Sequence, residues 1–371
     1  MEILDSEYVS QPMLTCIGNK RKLIPHIEDL VKRIGKIQGK DKLKLADAFA
    51  GSGVVSRMLS LYSEELWSND LESYSALMGR CFLEKPSKPL QLQIMGAING
   101  LNHLASTGPY VEGIITNNYA PKETDNVLEG ERCFYTHENA LIIDTLREKI
   151  ETLPEEIRDY CLAPLVLRAS IHANTAGVFK GFYKKNGIGC FGGSGEDALS
   201  RIKCPIELQM PKWNRHSHKV NVCQLDVIEF LEQLPVGLDI IYLDPPYNQH
   251  PYGSNYFMLN LIIENKMPES NISKVSGIPD NWNRSAFNKH KEAVEMMAKM
   301  IELSVSKSEY TLLSYNDEGI VSLDELDLIL QDYDVERVEI EYDTYKGSRN
   351  LANRNKKVNE IIYIISESEI E

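Results

Sequence analysis

The chain has 371 residues, a formal net charge of −14 and seven cysteines, none in a C-x-x-C pair. This length accommodates two domains. The thiol pattern excludes a disulfide framework and suits a reducing compartment, and no run of about 18 apolar residues offers a membrane span. No basic-then-apolar signal pattern opens the sequence, so a cytoplasmic location is expected. The acidic total speaks against a uniformly basic nucleic-acid coat, but placement matters more than sum. Acids gather at 324–341 and at Glu367, Glu369 and Glu371, whereas residues 180–219 hold eight Lys/Arg against three acids.

In chain order, residues 43–49 read as a strand running into Ala50-Gly51-Ser52-Gly53 and a helix over 54–62. Residues 65–70 read as a second strand ending in Asp70. The rhythm then changes: 90–104, 138–153 and 157–168 have helical character, and 177–219 is loop-rich and basic, with a flexible point at Gly192-Gly193-Ser194-Gly195. Residues 220–226 form a third strand-like run ending in Asp226, followed by a helix over 227–234 and a largely apolar strand before Asp244. A loop-rich stretch at 265–284 stands where a lid could sit. Strands at 310–315, 335–342 and 358–365 complete the pattern, and the second of these alternates as a half-exposed strand should. Strands alternating with helices predict an α/β fold with a doubly wound, mostly parallel sheet. The interruption predicts an inserted, largely helical domain at 73–219 within a domain made of 1–72 and 220–371.

Two segments carry chemistry. Asp47-x-Phe49-x-Gly51-x-Gly53 between strand and helix is a glycine turn that permits positive φ and close backbone approach. It is neither G-x-G-x-x-G nor a phosphate-binding P-loop, and by itself it is equally a tight strand–helix turn. Asp244-Pro245-Pro246-Tyr247 ends a strand abruptly, because proline cannot continue it. A carboxylate, a carbonyl and an aromatic ring are thereby held at the carboxyl end of a strand, where open α/β sheets bind ligands. Such a set suits gripping the amino group of a planar base; the bland alternative is an ordinary strand-ending turn.

The combination resembles the Dam-like α group of adenine-specific DNA methyltransferases. The glycine turn, the acid ending the next strand, Asp226 and Asp-Pro-Pro-Tyr occur in that family's order. Ile17-Gly18-Asn19-Lys20 through Ile27 resembles its opening segment, Asn255-Tyr256-Phe257-Met258-Leu259 the element after Asp-Pro-Pro-Tyr, and Arg354 through Ile362 its C-terminal element. Residues 174–185 are similar to its Asn/Gly/Tyr-rich segment. The resemblance implies a Rossmann-like S-adenosylmethionine-dependent fold and methyl transfer to the N6 amine of an adenine flipped out of duplex DNA.

Under that resemblance Asp244, Pro245, Pro246 and Tyr247 are catalytic, with the Asp244 carboxylate and Pro245 carbonyl accepting from the amine and Tyr247 stacking on the base. Lys20, Asp47, Phe49, Gly51, Gly53, Asp70 and Asp226 would hold the cofactor: Lys20 at the methionine carboxylate, Asp47 near the ammonium, Asp70 at the ribose hydroxyls and Asp226 at the adenine amine. Tyr256 would help hold the target base. Lys180, Lys184, Lys185, Arg201, Arg215 and Arg349 would contact DNA. Each has an ordinary reading beside it: helix caps for Asp70 and Asp226, core for Phe49, packing for Tyr252 and Tyr256, and solvated surface for the cations. No metal is expected, because Cys204, His216 and His218 lack a fourth ligand at suitable spacing. No nuclease signature is present, so a restriction endonuclease would be a separate chain, and a monomer or weak dimer is expected. The rival functions are amino-group methylation of RNA adenine or cytosine, and a non-catalytic nucleic-acid-binding subunit of the same fold.

Overall fold

The computed structural model describes the chain except for residues 1–7, 10–13, 15, 19, 194–197, 215–217, 248–250, 344–356 and 369–371. Helix α1 (Ile24–Gln38) leads into β1 (Leu43–Asp47), α2 (Val54–Ser60), β2 (Ser63–Asn69) and α3 (Ser73–Phe82). A helical series follows: α4 (Lys88–Thr107), α5 (Ile114–Tyr119), α6 (His137–Glu151) and α7 (Glu155–His172). Next come a small ribbon, β3 (Lys184–Lys185) and β4 (Ile188–Gly189), and α8 (Leu199–Lys203). The chain returns through β5 (Lys219–Cys223), α9 (Val227–Gln233), β6 (Leu238–Leu243), α10 (Tyr252–Asn255) and α11 (Phe257–Glu264). It ends with α12 (His290–Lys307), β7 (Ser308–Asn316), α13 (Leu323–Leu330), β8 (Tyr333–Asp343) and β9 (Lys357–Glu367).

The main sheet is seven-stranded in the order β5-β2-β1-β6-β7-β9-β8. Pairing is parallel from β5 through β7, and β9 runs antiparallel to both neighbours. This is the mostly parallel, Rossmann-like architecture expected. Strand β6 is buried at every position because both faces of the sheet are covered. Consecutive residues go to opposite sides: Leu45, Ile240, Tyr242 and Leu312 join α1 and α2 in one core, while Ala46, Ile241, Leu243 and Leu313 join α9, α12 and α13 in the other. Asp239, a charge in that strand, is 3% exposed and accepts from Lys40 Nζ and the Lys44 amide. The chain moves outward from β1 to β2 and β5, then crosses back to β6 on the other side of β1. That reversal leaves a crevice beyond the carboxyl ends of β1 and β6.

A third core belongs to the helical series, but it is not confined to residues 73–219. Tyr256, Phe257, Met258, Leu259 and Leu261, from beyond the Asp-Pro-Pro-Tyr turn, share it with Leu77, Phe134 and Leu165. Helix α3 packs on both the sheet and the helical series. Gly79 lets it lie against β5, where an added Cβ would come within 2.9 Å of Val222 Cγ1. Arg147 of α6 secures α11: its Nε donates to the Ile262 carbonyl at 3.0 Å and an Nη to that of Ile263 at 2.9 Å. These two carbonyls lie in the last turn of α11, where intrahelical donors run out. Replacing Arg147 by Ala should therefore lower stability by about 3 kcal/mol, given the size of hydrogen bonds from charged donors. Denaturant unfolding checks this; an unchanged midpoint would mean that α11 docks by apolar packing alone.

Candidate active site

The glycine turn begins where β1 ends. Gly51 has φ 53° and Gly53 φ 81°, the left-handed region that disfavours a Cβ. A Cβ at Gly53 would meet no protein atom within 4 Å, so the constraint there is conformational and the surface faces open space. Asp70 closes the turn from β2: one carboxylate oxygen accepts the Gly51 amide at 2.7 Å and the other the Glu72 amide at 2.9 Å. Asn69 ties three strand ends together. Its side chain donates to the Ala48 and Leu225 carbonyls and accepts the Leu225 amide at 3.0 Å. Asp226 caps α9 by accepting the Ile228 amide at 3.0 Å, yet remains exposed and lines the same cleft, so the cap and the cleft wall are one residue.

The cleft encloses about 1060 Å³ including its open mouth. Phe49, Leu71, Val227 and Phe287 give it apolar walls, Asp70, Glu72 and Asp226 give it carboxylates, and Lys20, Asp244, Pro245 and Tyr247 lie at its other end. Phe49 is half-buried and meets Phe287 edge-on at 5.9 Å. The carboxyl side chain of Asp244 is 17% exposed. Burial pushes its pKa up; Lys20 offsets part of this and Glu360 adds to it, leaving a value of about 6. Tyr247 stands beside it, edge-on to Tyr315 at 6.3 Å, with Lys20 Nζ 5.0 Å from its ring centre.

Several expected residues are placed elsewhere. Asp47 is fully buried beneath the turn, where it accepts Ser56 Oγ at 2.6 Å, and burial raises its pKa to about 7. It therefore supports the glycine turn from below instead of meeting a ligand's ammonium. Lys20 is 4% exposed, and its ammonium lies 3.0 Å from Asp244 and 2.7 Å from Glu360, not free to reach for a carboxylate on a cofactor. Tyr256 is 2% exposed and its hydroxyl accepts the Ile17 amide at 2.7 Å, so it packs instead of facing a base. Tyr252, read with it as a packing residue, does line the cleft, and donates to the Ile17 carbonyl at 2.7 Å.

Lys184 and Lys185, expected at the DNA, are exposed on β3, in a ribbon turned by Asn186 (φ 52°) and Gly187 (φ 85°). Positive φ at both positions is the tight hairpin geometry that Asn-Gly favours. Lys180 is exposed at its base. The aromatic residues among these cations anchor the ribbon: Phe182 packs on Phe134 at 5.2 Å, and Tyr183 donates to the Thr175 carbonyl. Asn174 fixes its other side by donating to the Cys133 and Cys190 carbonyls at 2.7 and 2.8 Å. Arg201 is not available as a phosphate or guanine reader. Its guanidinium donates to the Ile171 and Ala173 carbonyls, capping the end of α7. Arg215 and Arg349 lie outside the described residues. Among the described residues no group of His, Cys, Asp and Glu could hold a metal ion, and no helix is long and apolar enough to cross a membrane.

The stretch at 265–284 runs from the ribbon to the cleft. Ser276 Oγ donates to the Lys180 carbonyl at 2.7 Å, Arg132 grips the carbonyls of Ser273 and Val275, and Asn283 donates to the Leu71 carbonyl at 3.3 Å. The following residues, Ser285 to Asn288, form part of the cleft wall. Glu72, Asn69 and Phe287 are site residues not anticipated from sequence. Glu72 accepts Asn260 Nδ2 at 2.6 Å, and burial lifts its pKa to about 7. A second acid two residues after Asp70 was the available signal.

Known proteins resemble this chain over most of its length. The chain is 29% identical over 323 residues to the type II methyltransferase M.CviAII of Paramecium bursaria Chlorella virus 1, covering 85% of this chain and 87% of that protein. It is 28% identical to the type II methyltransferase M.NlaIII of Neisseria lactamica, covering 92% and 95% respectively. It is 26% identical to the modification methylase StsI of Streptococcus sanguinis over 94% of this chain, which spans 51% of that protein. The model of the D12 class N6 adenine-specific DNA methyltransferases matches residues 17–327. The protein belongs to the D12 class of N6 adenine-specific DNA methyltransferases, and it is a site-specific DNA adenine methyltransferase.

Proposed function

We propose that the cleft binds S-adenosylmethionine and that Asp244 and the Pro245 carbonyl grip the amine of a target adenine beside it. The observation that carries this reading is the shared cleft: the partly exposed Asp244 and Tyr247 open onto the same space as Asp70, Asp226 and the glycine turn. The residues suit the cofactor. Asp70 keeps lone pairs for ribose hydroxyls after accepting two backbone amides, Asp226 can accept from an exocyclic amine, and Phe49, Leu71 and Phe287 offer faces to a nucleoside. S-adenosylmethionine, when bound, supplies a sulfonium methyl group as electrophile. Asp47 acts as a positioning residue for the turn.

An adenine amine is a weak nucleophile because its lone pair is delocalised into the ring. Two fixed acceptors that take both of its N–H bonds draw the nitrogen towards a tetrahedral shape. They also stabilise the positive charge that develops on it as the new N–C bond forms. Pro245 suits the second acceptor because its carbonyl is bonded to the nitrogen of Pro246, so that peptide presents no N–H beside the acceptor. Tyr247 provides a ring on which an extruded base can stack. Because these groups sit on strand ends, most of their contribution is placement. The exposed Lys180, Lys184 and Lys185 at the β3–β4 ribbon would meet duplex phosphates. The kinship with modification methylases supports a role beside a separate restriction endonuclease chain.

Asp244→Ala should abolish methyl transfer while changing cofactor affinity by less than about threefold, since its interaction is made in the transition state. Equal loss of affinity would make Asp244 a cofactor ligand instead. Asp226→Ala should weaken cofactor binding by about tenfold, the size of one charged hydrogen bond, and leave the rate at saturation near normal; titration calorimetry with unchanged affinity would remove Asp226 from the site. The pair Lys184→Ala and Lys185→Ala should flatten the slope of log Kd against log salt by about 1.8 if both meet phosphate. An unaltered slope in a DNA-binding titration would place the ribbon outside the interface.

A further inference from the structure

We propose that Glu360 is a positioning residue for methyl transfer, one that acts through Lys20 to keep a net negative charge at Asp244. The inference rests on the reading of Asp244 as the acceptor of the amine.

The three charges form a row. Lys20 Nζ lies 3.0 Å from Asp244 Oδ1 and 2.7 Å from Glu360 Oε1. Lys20 is 4% exposed and Glu360 is fully buried in β9, where Ser314 Oγ of β7 donates to it at 2.7 Å. At these distances the ammonium is shared between the two carboxylates, and charge joins the row. A carboxylate paired with one lysine sums to zero. A neutral pair is a poor partner for positive charge growing on an attacking amine. Glu360 changes that sum: the row carries one net negative charge, and Asp244 forms its end in the cleft. Lys20 in turn keeps two buried carboxylates from repelling each other, which would otherwise drive one of them to hold a proton.

The other groups that face Asp244 do not alter the count. Tyr242 in β6, Tyr247 beside it and Tyr252 in α10 are all held above their ordinary pKa, first by burial, and stay neutral. Asp47 in β1 titrates near 7, but it is common to every variant considered below. The sign of the Glu360 effect follows. Its charge raises the pKa of Asp244, so removing that charge lets Asp244 ionise at lower pH while making it a weaker partner for a cation.

The test is single-turnover methyl transfer to duplex DNA by the full chain, measured against pH for Glu360→Gln, for the double variant Lys20→Met with Glu360→Gln, and for Asp244→Ala. Glutamine keeps the shape of Glu360 and can still accept from Ser314. Glu360→Gln should slow transfer by about tenfold to a hundredfold, the range for losing one preorganised electrostatic partner. Its acid limb should move to lower pH, and affinities for S-adenosylmethionine and DNA should hold. The double variant leaves Asp244 as the one charge of the row; without Lys20 its acid limb should move to higher pH, and above that limb it should recover much of the lost rate. A Glu360→Gln enzyme with the normal rate and limb overturns the proposal, as does a double variant that above its acid limb is no faster than the single one. Should Glu360→Gln fail to fold, the double variant decides alone. A rate within about tenfold of the unaltered enzyme supports charge balance, and a loss as deep as that of Asp244→Ala contradicts it. If Asp244→Ala itself keeps its rate, the fault lies with the reading of Asp244 and not with Glu360.

Discussion

The fold leaves a carboxylate half out of water at the end of a buried strand, and the rest of the site is organised around the cost of doing so. Strand β6 has no polar surface to spare, and the two prolines force the chain out of the sheet at Asp244. A lone carboxylate there would hold its proton to higher pH. The Lys20 cation, reaching in from the segment before α1, makes the charge tolerable, and Glu360, from the antiparallel strand β9, balances that cation. Elements far apart in sequence thus meet at one side chain. The edge hairpin of the sheet thus reaches Asp244 through Glu360 and Lys20, although none of its described residues lines the cleft.

The same economy governs the opposite end of the cleft. Asp70 and Asp226 each satisfy backbone amides at a strand end or helix start and still present oxygens outward. Carboxylates held in this way keep one orientation, which a ligand with fixed hydroxyl and amine positions requires. The β3–β4 ribbon is anchored by Phe182, Tyr183 and Asn174, and the stretch through Ser276 and Asn283 connects its base to the cleft wall. The exposed Lys180, Lys184 and Lys185 therefore ride on a small, well-tied platform, and under the function proposed above the flexible parts of their side chains are left to find phosphate.

Much of the catalytic half was legible. A strand buried on both faces reads as an apolar run, broken here by Asp239 alone, so β6 and the turn after it stood out, and acids near strand ends were visible as Asp70 and Asp226. What sequence could not give was direction. Arg201 and Lys184 look alike as letters; one caps a helix and the other faces solvent. Asp47 belongs to a motif, but its neighbour Ser56 draws it under the turn. Tyr256 lies close to the active-site turn in sequence and yet joins the helical core, because α11 packs on α7 and α3 and its own ring meets Tyr74. Helix α12 was not anticipated, although its buried Ala293, Met297, Met300 and Ile301 fall at helical spacing among charged residues. Glu360 carried a signal, a lone acid in the apolar run at 358–365, but a buried partner can be assigned only when Lys20 is seen beside it.

The most direct measurement follows the rate of a single methyl-transfer event on duplex DNA as pH is lowered, in the unaltered enzyme and in Asp244→Asn. An acceptor carboxylate with its pKa raised to about 6 must be ionised to act, so the rate should fall below that pH. Asparagine has no proton to gain there, and its slower reaction should lose that limb. The same fall in both enzymes would assign the titration to another group and contradict the role given to Asp244.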